Sequence, residues 1–171
     1  MDLLQSMNQK QVREFFSKNW ITHDAMWFYH CMREFGPEAA NRINQAAVRS
    51  MAAVEIHRIL KLMGRENKPV TSYDELKEII DTTYRLIQPD FMKLYYEFPE
   101  KNVFRGGFRE CFAYEGVSKA GLAEVYQCGV LLRVKGWFET LGVKYRMLPD
   151  FEGCLMRESG ECQISFHFEL D

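Results

Sequence analysis

The sequence lacks the features that most directly identify a function. Lysine and arginine number 22 against 24 aspartate and glutamate, so there is no basic excess to neutralise phosphates and nucleic acid is not expected as a partner. No stretch approaches the roughly 18 consecutive apolar residues of a membrane span, and the first residues do not form a basic and then apolar leader. No nucleotide-binding motif is present. We therefore expect a cytoplasmic protein with no membrane partner.

Close pairs of cysteines are also missing. The chain has five cysteines, and none forms the Cys-x2-Cys spacing that structural zinc sites usually have. An odd number of cysteines outside a small secreted framework predicts free thiols in a reducing compartment. Disulfides and a structural zinc site are therefore not expected, and the binding of another metal ion is left open.

What the sequence does contain predicts a folded α+β protein. Its 171 residues are 47% hydrophobic and 14% aromatic, which suffices for a buried core. No internal repeat or low-complexity linker divides the chain. We expect a single domain over residues 1–171, with a helical part over 1–88 and a part made of a sheet and one long helix over 89–171.

The first half shows the period of amphipathic helices. The predicted helices cover residues 8–17, 23–35, 37–63 and 72–88. Gly36 and Pro37 are expected to end the second helix and begin the third, and Ser72 or Thr71 to cap the fourth. One stripe is predicted to face the core from the second helix, and it contains Asp24, Trp27, Phe28, Cys31 and Phe35.

The second half changes to the period of strands, interrupted by a predicted helix over residues 122–141. The predicted strands cover residues 91–98, 103–114, 144–148, 154–158 and 162–170, and they form an antiparallel sheet covered by the helices. Gly106 and Gly107 inside the second strand predict a bulge or a close approach by another group. A two-residue hairpin loop at 159–160 would place Cys154 and Cys162 on opposite faces of the sheet.

Two polar residues fall on predicted packed faces of the helical half. Asp24 begins the apolar stripe of its helix, and His57 shares a face with Ser50 and Val54 of the next. If they meet, an Asp and His pair can orient an imidazole for acid–base chemistry or metal binding. The alternative is structural, since a carboxylate near a helix start stabilises free amides and a histidine on an apolar face is often only hydrogen-bonded.

Three cysteine motifs carry a family resemblance. They are Cys111 followed by an aromatic residue, Tyr126-x-Cys128, and the segment 160–166 that contains Cys162. This order resembles the L-2-amino-thiazoline-4-carboxylic acid hydrolase-like family of small bacterial and archaeal proteins. The segment 154–168 is also similar to the end of vinyl-4-reductase-type ligand-binding domains. The resemblance implies a pocket between the sheet and the helix over 122–141, on which the three cysteines converge.

The resemblance also implies roles for individual residues. Cys111 and Cys128 are the candidate catalytic cysteines, and a nucleophilic thiol needs a nearby cation to lower its pKa. Arg105 and Arg109 are candidates for that cation and for binding a substrate carboxylate, because period two places them on the strand face of Cys111. Cys162 and Tyr114 are further candidate ligand-binding residues. The alternatives are that the arginines lie on a solvated face and the cysteines fill the core.

Three functions remain open on the sequence alone. The first is the binding of a small molecule in an aromatic and cysteine-lined pocket by a homodimer. A hydrolase that acts on a small cyclic or amide-like carbon–nitrogen bond is the second. The third is a non-catalytic interaction or scaffold protein in which the cysteines are inert. Whether the protein is an enzyme is therefore open, and the sequence leaves the cofactor open as well, with a metal ion possible.

Overall fold

The computed structural model describes residues 3–171. Its helices are α1 (Leu3–Ser6), α2 (Gln9–Leu62), α3 (Tyr73–Ile87), α4 (Phe112–Lys119), α5 (Val130–Thr140) and α6 (Leu155–Ser159). Its strands are β1 (Leu94–Glu100), β2 (Val103–Phe108), β3 (Tyr145–Leu148) and β4 (Cys162–Phe168). The combination of helices with one antiparallel sheet confirms the predicted α+β class.

The long helix α2 is bent at Gly36. This residue has φ 80° and ψ 171°, which glycine adopts without strain, and it divides α2 into an N-terminal arm (residues 9–35) and a C-terminal arm (residues 37–62). A straight helix would hold Trp20 and Glu55 about 50 Å apart. Arg133 of α5 nevertheless contacts both of them. The bend therefore turns both arms towards α5, and the break between two helices at Gly36 and Pro37 is where it was predicted.

The N-terminal arm is one unbroken helix from Gln9, so the predicted break between residues 17 and 23 is wrong. Asn8 caps it: its side chain accepts from the Gln11 amide at 2.9 Å, and the Gln11 side chain accepts from the Asn8 amide at 2.9 Å. The residues between 17 and 23 contain neither glycine nor proline, so nothing in them ends a helix.

The structure also corrects the predicted stripe of the N-terminal arm and the predicted packed face of the C-terminal arm, where Ser50, Val54 and His57 are exposed. Trp27 and Phe35 are 60% and 62% exposed, whereas Cys31 and its neighbour Met32 are buried. On the C-terminal arm the buried residues are Ala40, Asn41, Ala52, Ile56, Ile59 and Leu60. Apolar and small residues occur nearly all around this arm, so their period did not select the face that is buried.

Helix α3 follows its prediction closely. Ser72 caps it by accepting from the Glu75 amide at 3.3 Å. Its buried residues are Tyr73, Leu76, Ile79, Ile80, Thr83 and Tyr84. A polar face is left outside, and the buried one lies against the sheet.

The four strands lie in the order β1-β2-β4-β3, and each neighbouring pair is antiparallel. Buried and less buried residues alternate along β4 as predicted. On the face of the sheet that α5 covers, Phe104 lies opposite Phe166. The centroid of the Phe138 ring of α5 lies 6.2 Å from that of Phe104 and 4.9 Å from that of Phe166. All three are fully buried, which contributes about 1.5 to 3 kcal/mol for each side chain. This aromatic core fixes α5 over the sheet.

Gly107 confirms the prediction of a close approach. A Cβ atom at this position would lie 1.9 Å from the carbonyl oxygen of Cys162 on β4. The register of the β1 and β2 pair is irregular not at Gly106 and Gly107 but between Glu97 and Glu100 of β1. Glycine at 107 therefore lets β2 and β4 pair beside the first residue of β4.

The segments around the cysteines differ from their prediction. β2 ends at Phe108, and residues 112–119 form α4 instead of continuing the strand. Helix α5 is shorter than the predicted 122–141, and residues 155–159 form α6 where a strand was expected. The hairpin loop proposed at 159–160 does not exist, because Gly160 ends α6. Among residues 3–171, no helix is both long and apolar enough to cross a membrane.

Candidate functional site

A cavity of about 390 Å³ lies where the two arms of α2 meet α3, α4, α5 and the first two strands. Its wall is mostly apolar. The aromatic side chains on it are Trp20, Phe28, Tyr29, Tyr84, Phe108, Phe112, Tyr126 and Trp137. A concave, mainly apolar space of a few hundred Å³ with a few polar groups is typical of small-molecule sites.

Arg133 of α5 is the basic residue on this wall. Its Nε donates to Glu55 Oε2 at 2.9 Å and its Nη2 donates to Glu55 Oε1, which makes a bidentate ion pair. Trp137 Nε1 donates to the same carboxylate at 2.9 Å. The guanidinium also lies over the rings of Trp20 and Trp137, 5.2 and 5.6 Å from their centroids. These contacts fix Arg133 and balance its charge.

Asp24 of the N-terminal arm is the acidic residue on the wall, and it is exposed to the cavity. In the described part of the chain its carboxylate has neither a hydrogen bond nor an ion pair. Burial raises the pKa of the Asp24 carboxyl, and the electrostatic effect of the neighbouring His23 and Arg133 offsets only part of that increase. Asp24 is thus an unpaired carboxylate beside apolar surface.

Tyr126 separates the cavity from the interior of the protein. It is buried and its ring meets Phe28 edge to face, with centroids 5.6 Å apart. The buried Asn41 holds the segment around it, because Asn41 Nδ2 donates to the Val125 carbonyl at 2.7 Å and Asn41 Oδ1 accepts from the Gln127 amide at 3.0 Å. The C-terminal arm of α2 therefore positions this part of the cavity wall.

Behind Tyr126 lie the four residues of the thiol cluster: Cys111, Cys128, Cys154 and Cys162. All are free, and the other three are close enough to Cys128 to act on the ionisation of its thiol. Cys111, Cys128 and Cys154 also act on the ionisation of Tyr126. The backbone places them, since the Cys128 amide donates to the Gly153 carbonyl at 2.8 Å and Cys162 pairs with Phe108, three residues before Cys111. The structure thus brings the three predicted cysteines together. Cys154 joins them because residues 155–159 are helical, and the predicted separation of Cys154 from Cys162 is wrong.

Burial disfavours the thiolate forms of Cys111, Cys128 and Cys162. Burial raises the pKa of the Cys128 and Cys162 thiols to about 12. The same cause raises the pKa of Cys111, although the amides of Tyr114 and Ala113 offset part of the effect. None of the four cysteines lies on the wall of the 390 Å³ cavity. A cysteine nucleophile requires a thiolate, which these surroundings disfavour.

The predicted arginines lie outside this cavity. Arg105 is half-buried on β2, where its Nη1 donates to Glu97 Oε1 at 2.9 Å. Arg109 follows the end of β2 and lies over the ring of Tyr95, 5.9 Å from its centroid. The prediction that both arginines share a strand face with Cys111 is wrong. Strand β2 ends at Phe108, and Cys111 is the N-cap residue of α4.

Two predicted ligand-binding residues lie near one another at a smaller cleft. Arg109 and Cys162 both border a cleft of about 310 Å³ on the sheet, together with Tyr95 and Gln163. Tyr114 is half-buried on α4, packed against the core, and borders neither space. The predicted ligand-binding residues are therefore divided between separate places.

The structure does not bring Asp24 and His57 together. His57 is exposed, and its Nδ1 lies 2.7 Å from the carbonyl oxygen of Ala53 one turn earlier. Asp24 faces the cavity beside Arg133. Within residues 3–171, no group of three or more His, Cys, Asp or Glu side chains has an arrangement that could hold a metal ion.

The sequence reasoning missed Asn41, Glu55 and Arg133. Asn41 and Glu55 lie within about 40° of each other on the C-terminal arm by the helical period, close to the face that the structure buries. The available signal was that these two polar residues share a helix face with the apolar residues Ala52 and Ile56. Arg133 offered none, since α5 also contains Lys135 and basic residues in a mostly apolar helix are usually solvated.

A protein-family model described as a family of unknown function (DUF6125) matches residues 4–106. The matched part includes α2, α3, β1 and most of β2, and with them Asp24, Asn41 and Glu55. It ends before the thiol cluster, so the resemblance of the cysteine motifs to the hydrolase-like family stays a prediction. No curated protein matches the chain.

Proposed function

The chain belongs to a family of unknown function (DUF6125), and we propose that it binds a small, largely apolar molecule in the 390 Å³ cavity. One observation carries the proposal: the cavity has a wall of aromatic and aliphatic side chains from both arms of α2, α3, α4 and α5. Burying apolar ligand surface there is favourable by about 25 cal/mol for each Å². The ion pair of Arg133 and Glu55 and the anchored Tyr126 support a wall that exists before the ligand arrives.

Binding is better supported than hydrolysis by a cysteine. The thiols of the cluster lie behind Tyr126, and burial raises the pKa of Cys128 and Cys162 to about 12. Packing of the core explains these cysteines without a reaction. The pocket is then lined by aromatic and aliphatic residues and not by cysteines.

Fluorescence titration with the neutral probe N-phenyl-1-naphthylamine tests the proposal. Ala47 lies on the cavity wall, and its neighbour Ala46 does not, although both are exposed positions of the same helix. Ala47→Phe fills part of the cavity and is expected to weaken probe binding about tenfold or more, whereas Ala46→Phe leaves it unchanged. Equal affinities of the two variants, or the absence of binding to the wild-type protein, would contradict the proposal.

We also propose that the protein forms a homodimer through the outer face of the N-terminal arm. The exposed residues Phe16, His23, Trp27 and His30 follow the helical period along this face, here named the outer stripe, and none of the four is Asp, Glu, Lys or Arg. Phe16 and His30 lie two turns to either side of His23. In an antiparallel pair of arms, Phe16 of each copy would therefore meet His30 of the other, as an isologous interface requires.

A further inference from the structure

The cavity wall contains one acidic and one basic side chain, and only the basic one has a partner of opposite charge. Among the residues on the wall, Asp24 and Arg133 are the acid and the base. The charge of Arg133 is balanced by the two hydrogen bonds to Glu55, a residue that does not line the cavity. The side chains of this pair are each 16% exposed. Towards a ligand, Arg133 and Glu55 therefore act together as a nearly neutral unit.

Asp24 has no such partner. Throughout residues 3–171, no donor lies within hydrogen-bond distance of its carboxylate and no cation forms an ion pair with it. Its position in apolar surroundings disfavours the charged form, which raises the pKa of the carboxyl. A cation placed beside Asp24 would remove this unfavourable state, whereas an anion would add a second uncompensated negative charge.

The residues around Asp24 also favour a cation. Trp20 and Phe28 lie one helical turn before and after Asp24, and both line the cavity. The faces of aromatic rings attract cations, as Trp20 already does with the guanidinium of Arg133. The remaining wall is apolar and suits a hydrocarbon body. A ligand with a positive head and an apolar body would use both parts of the site.

We propose that the ligand is a hydrophobic amine, bound as its ammonium ion to Asp24 with its apolar part in the 390 Å³ cavity. This inference rests on the proposed function. An aliphatic amine, with a pKa of about 10.4 like that of lysine, is protonated at neutral pH. A charge-assisted hydrogen bond from the ammonium to Asp24, flanked by Trp20 and Phe28, selects it over a fatty alcohol or a fatty acid of equal length.

Competition titrations test this selectivity. The neutral probe N-phenyl-1-naphthylamine is displaced in turn by n-decylamine, n-decanol and n-decanoate, which share one chain and differ in the charge of the head. The wild-type protein is expected to bind the amine about tenfold more tightly than the alcohol, and the carboxylate most weakly. Asp24→Asn should bring amine and alcohol to nearly equal affinity while the probe itself still binds.

Glu34→Gln is the matched control, because it removes one negative charge from an exposed position of the same arm away from the cavity. It should keep the wild-type preference for the amine. Equal binding of amine and alcohol by the wild-type protein, or an unchanged preference in Asp24→Asn, would overturn the inference and leave the cavity as a binding site. Failure of the wild-type protein to bind the neutral probe would overturn the proposed function and this inference with it.

Discussion

Glu55 and Arg133 form a bidentate ion pair that joins the C-terminal arm of α2 to α5. Each side chain is 16% exposed, and Trp137 donates a further hydrogen bond to Glu55. The pair therefore contributes to the stability of the cavity wall in addition to setting its charge.

Removal of the carboxylate should destabilise the protein because it leaves Arg133 as a buried cation without a partner. We expect Glu55→Ala to lower the free energy of unfolding by about 3 kcal/mol, measured by urea denaturation. Glu110→Ala removes the carboxylate of the exposed pair with Lys93 and should cost at most about 1 kcal/mol. Similar losses in the two variants would show that burial of the Glu55 and Arg133 pair has no energetic consequence.

Gly107 should tolerate no side chain. Gly107→Ala places a methyl group against the Cys162 carbonyl, where the Cβ would lie at 1.9 Å, and β2 and β4 must separate to accept it. We expect a loss of about 1 to 3 kcal/mol in the free energy of unfolding. Gly116→Ala is the comparison, since no atom lies within 4 Å of that Cβ in α4, and a gain of about 0.5 to 1 kcal/mol is expected.

The thiol cluster should make stability fall at alkaline pH. The folded-state pKa of Cys128 and Cys162 is about 12, above the unfolded value of about 8.5. A thiol whose pKa is higher in the folded than in the unfolded state stabilises the folded protein. This contribution is fully present at pH values below the pKa of the unfolded state, and it is lost as the pH rises towards 12. The unfolding free energy should decrease by up to about 1.4 kcal/mol per pH unit for each thiol above pH about 9.

Urea denaturation between pH about 7 and 10.5 measures this slope for the wild-type protein and for Cys128→Ala. The variant is expected to be less stable at every pH because it leaves a small void, but its dependence on alkaline pH should be shallower. The slope, and not the stability at one pH, is the informative quantity. An unchanged slope in the variant would mean that Cys128 does not ionise differently in the folded and unfolded states.

The outer stripe gives a prediction about assembly. Trp27→Glu introduces a charge into the proposed interface and should convert a dimer into a monomer in sedimentation velocity experiments. Phe35→Glu introduces the same charge at an equally exposed aromatic residue of the same arm, outside the stripe, and should leave the dimer intact. A monomeric wild-type protein at micromolar concentration would refute the homodimer.

The sequence predicted those parts of the fold where local signals agree. The alternation along β4, the cap at Ser72 and the stop at Gly36 each depend on a few adjacent residues, and each is present. The boundaries around the cysteines were wrong because α4 and α6 are short helices, and short helices depend on tertiary packing more than on their own sequence. The same error placed Cys154 away from Cys162.

The candidate site was harder to predict because its parts are far apart in the sequence. A pocket lined by aromatic residues and cysteines was expected between the sheet and α5, but the wall of the cavity contains Tyr126 and none of the cysteines. Asp24 was selected for its place on a helix face, and its predicted partner His57 points to solvent. Which groups meet Asp24 depends on the bend in α2, and no local pattern specifies how far that bend turns the chain.

The bend at Gly36 has a consequence for how a molecule could enter. The N-terminal arm supplies one side of the cavity, including Trp20, Asp24 and Phe28, and a single non-helical residue joins it to the arm on the opposite side. A rotation about Gly36 would separate these two sides, most of all at the end far from Gly36, and would break the contacts of that end with residues 85–90. The sheet, α5 and the thiol cluster could keep their places. Entry and release of a bulky ligand would then require movement of one helix about one joint, and the rest of the molecule would serve as the fixed frame.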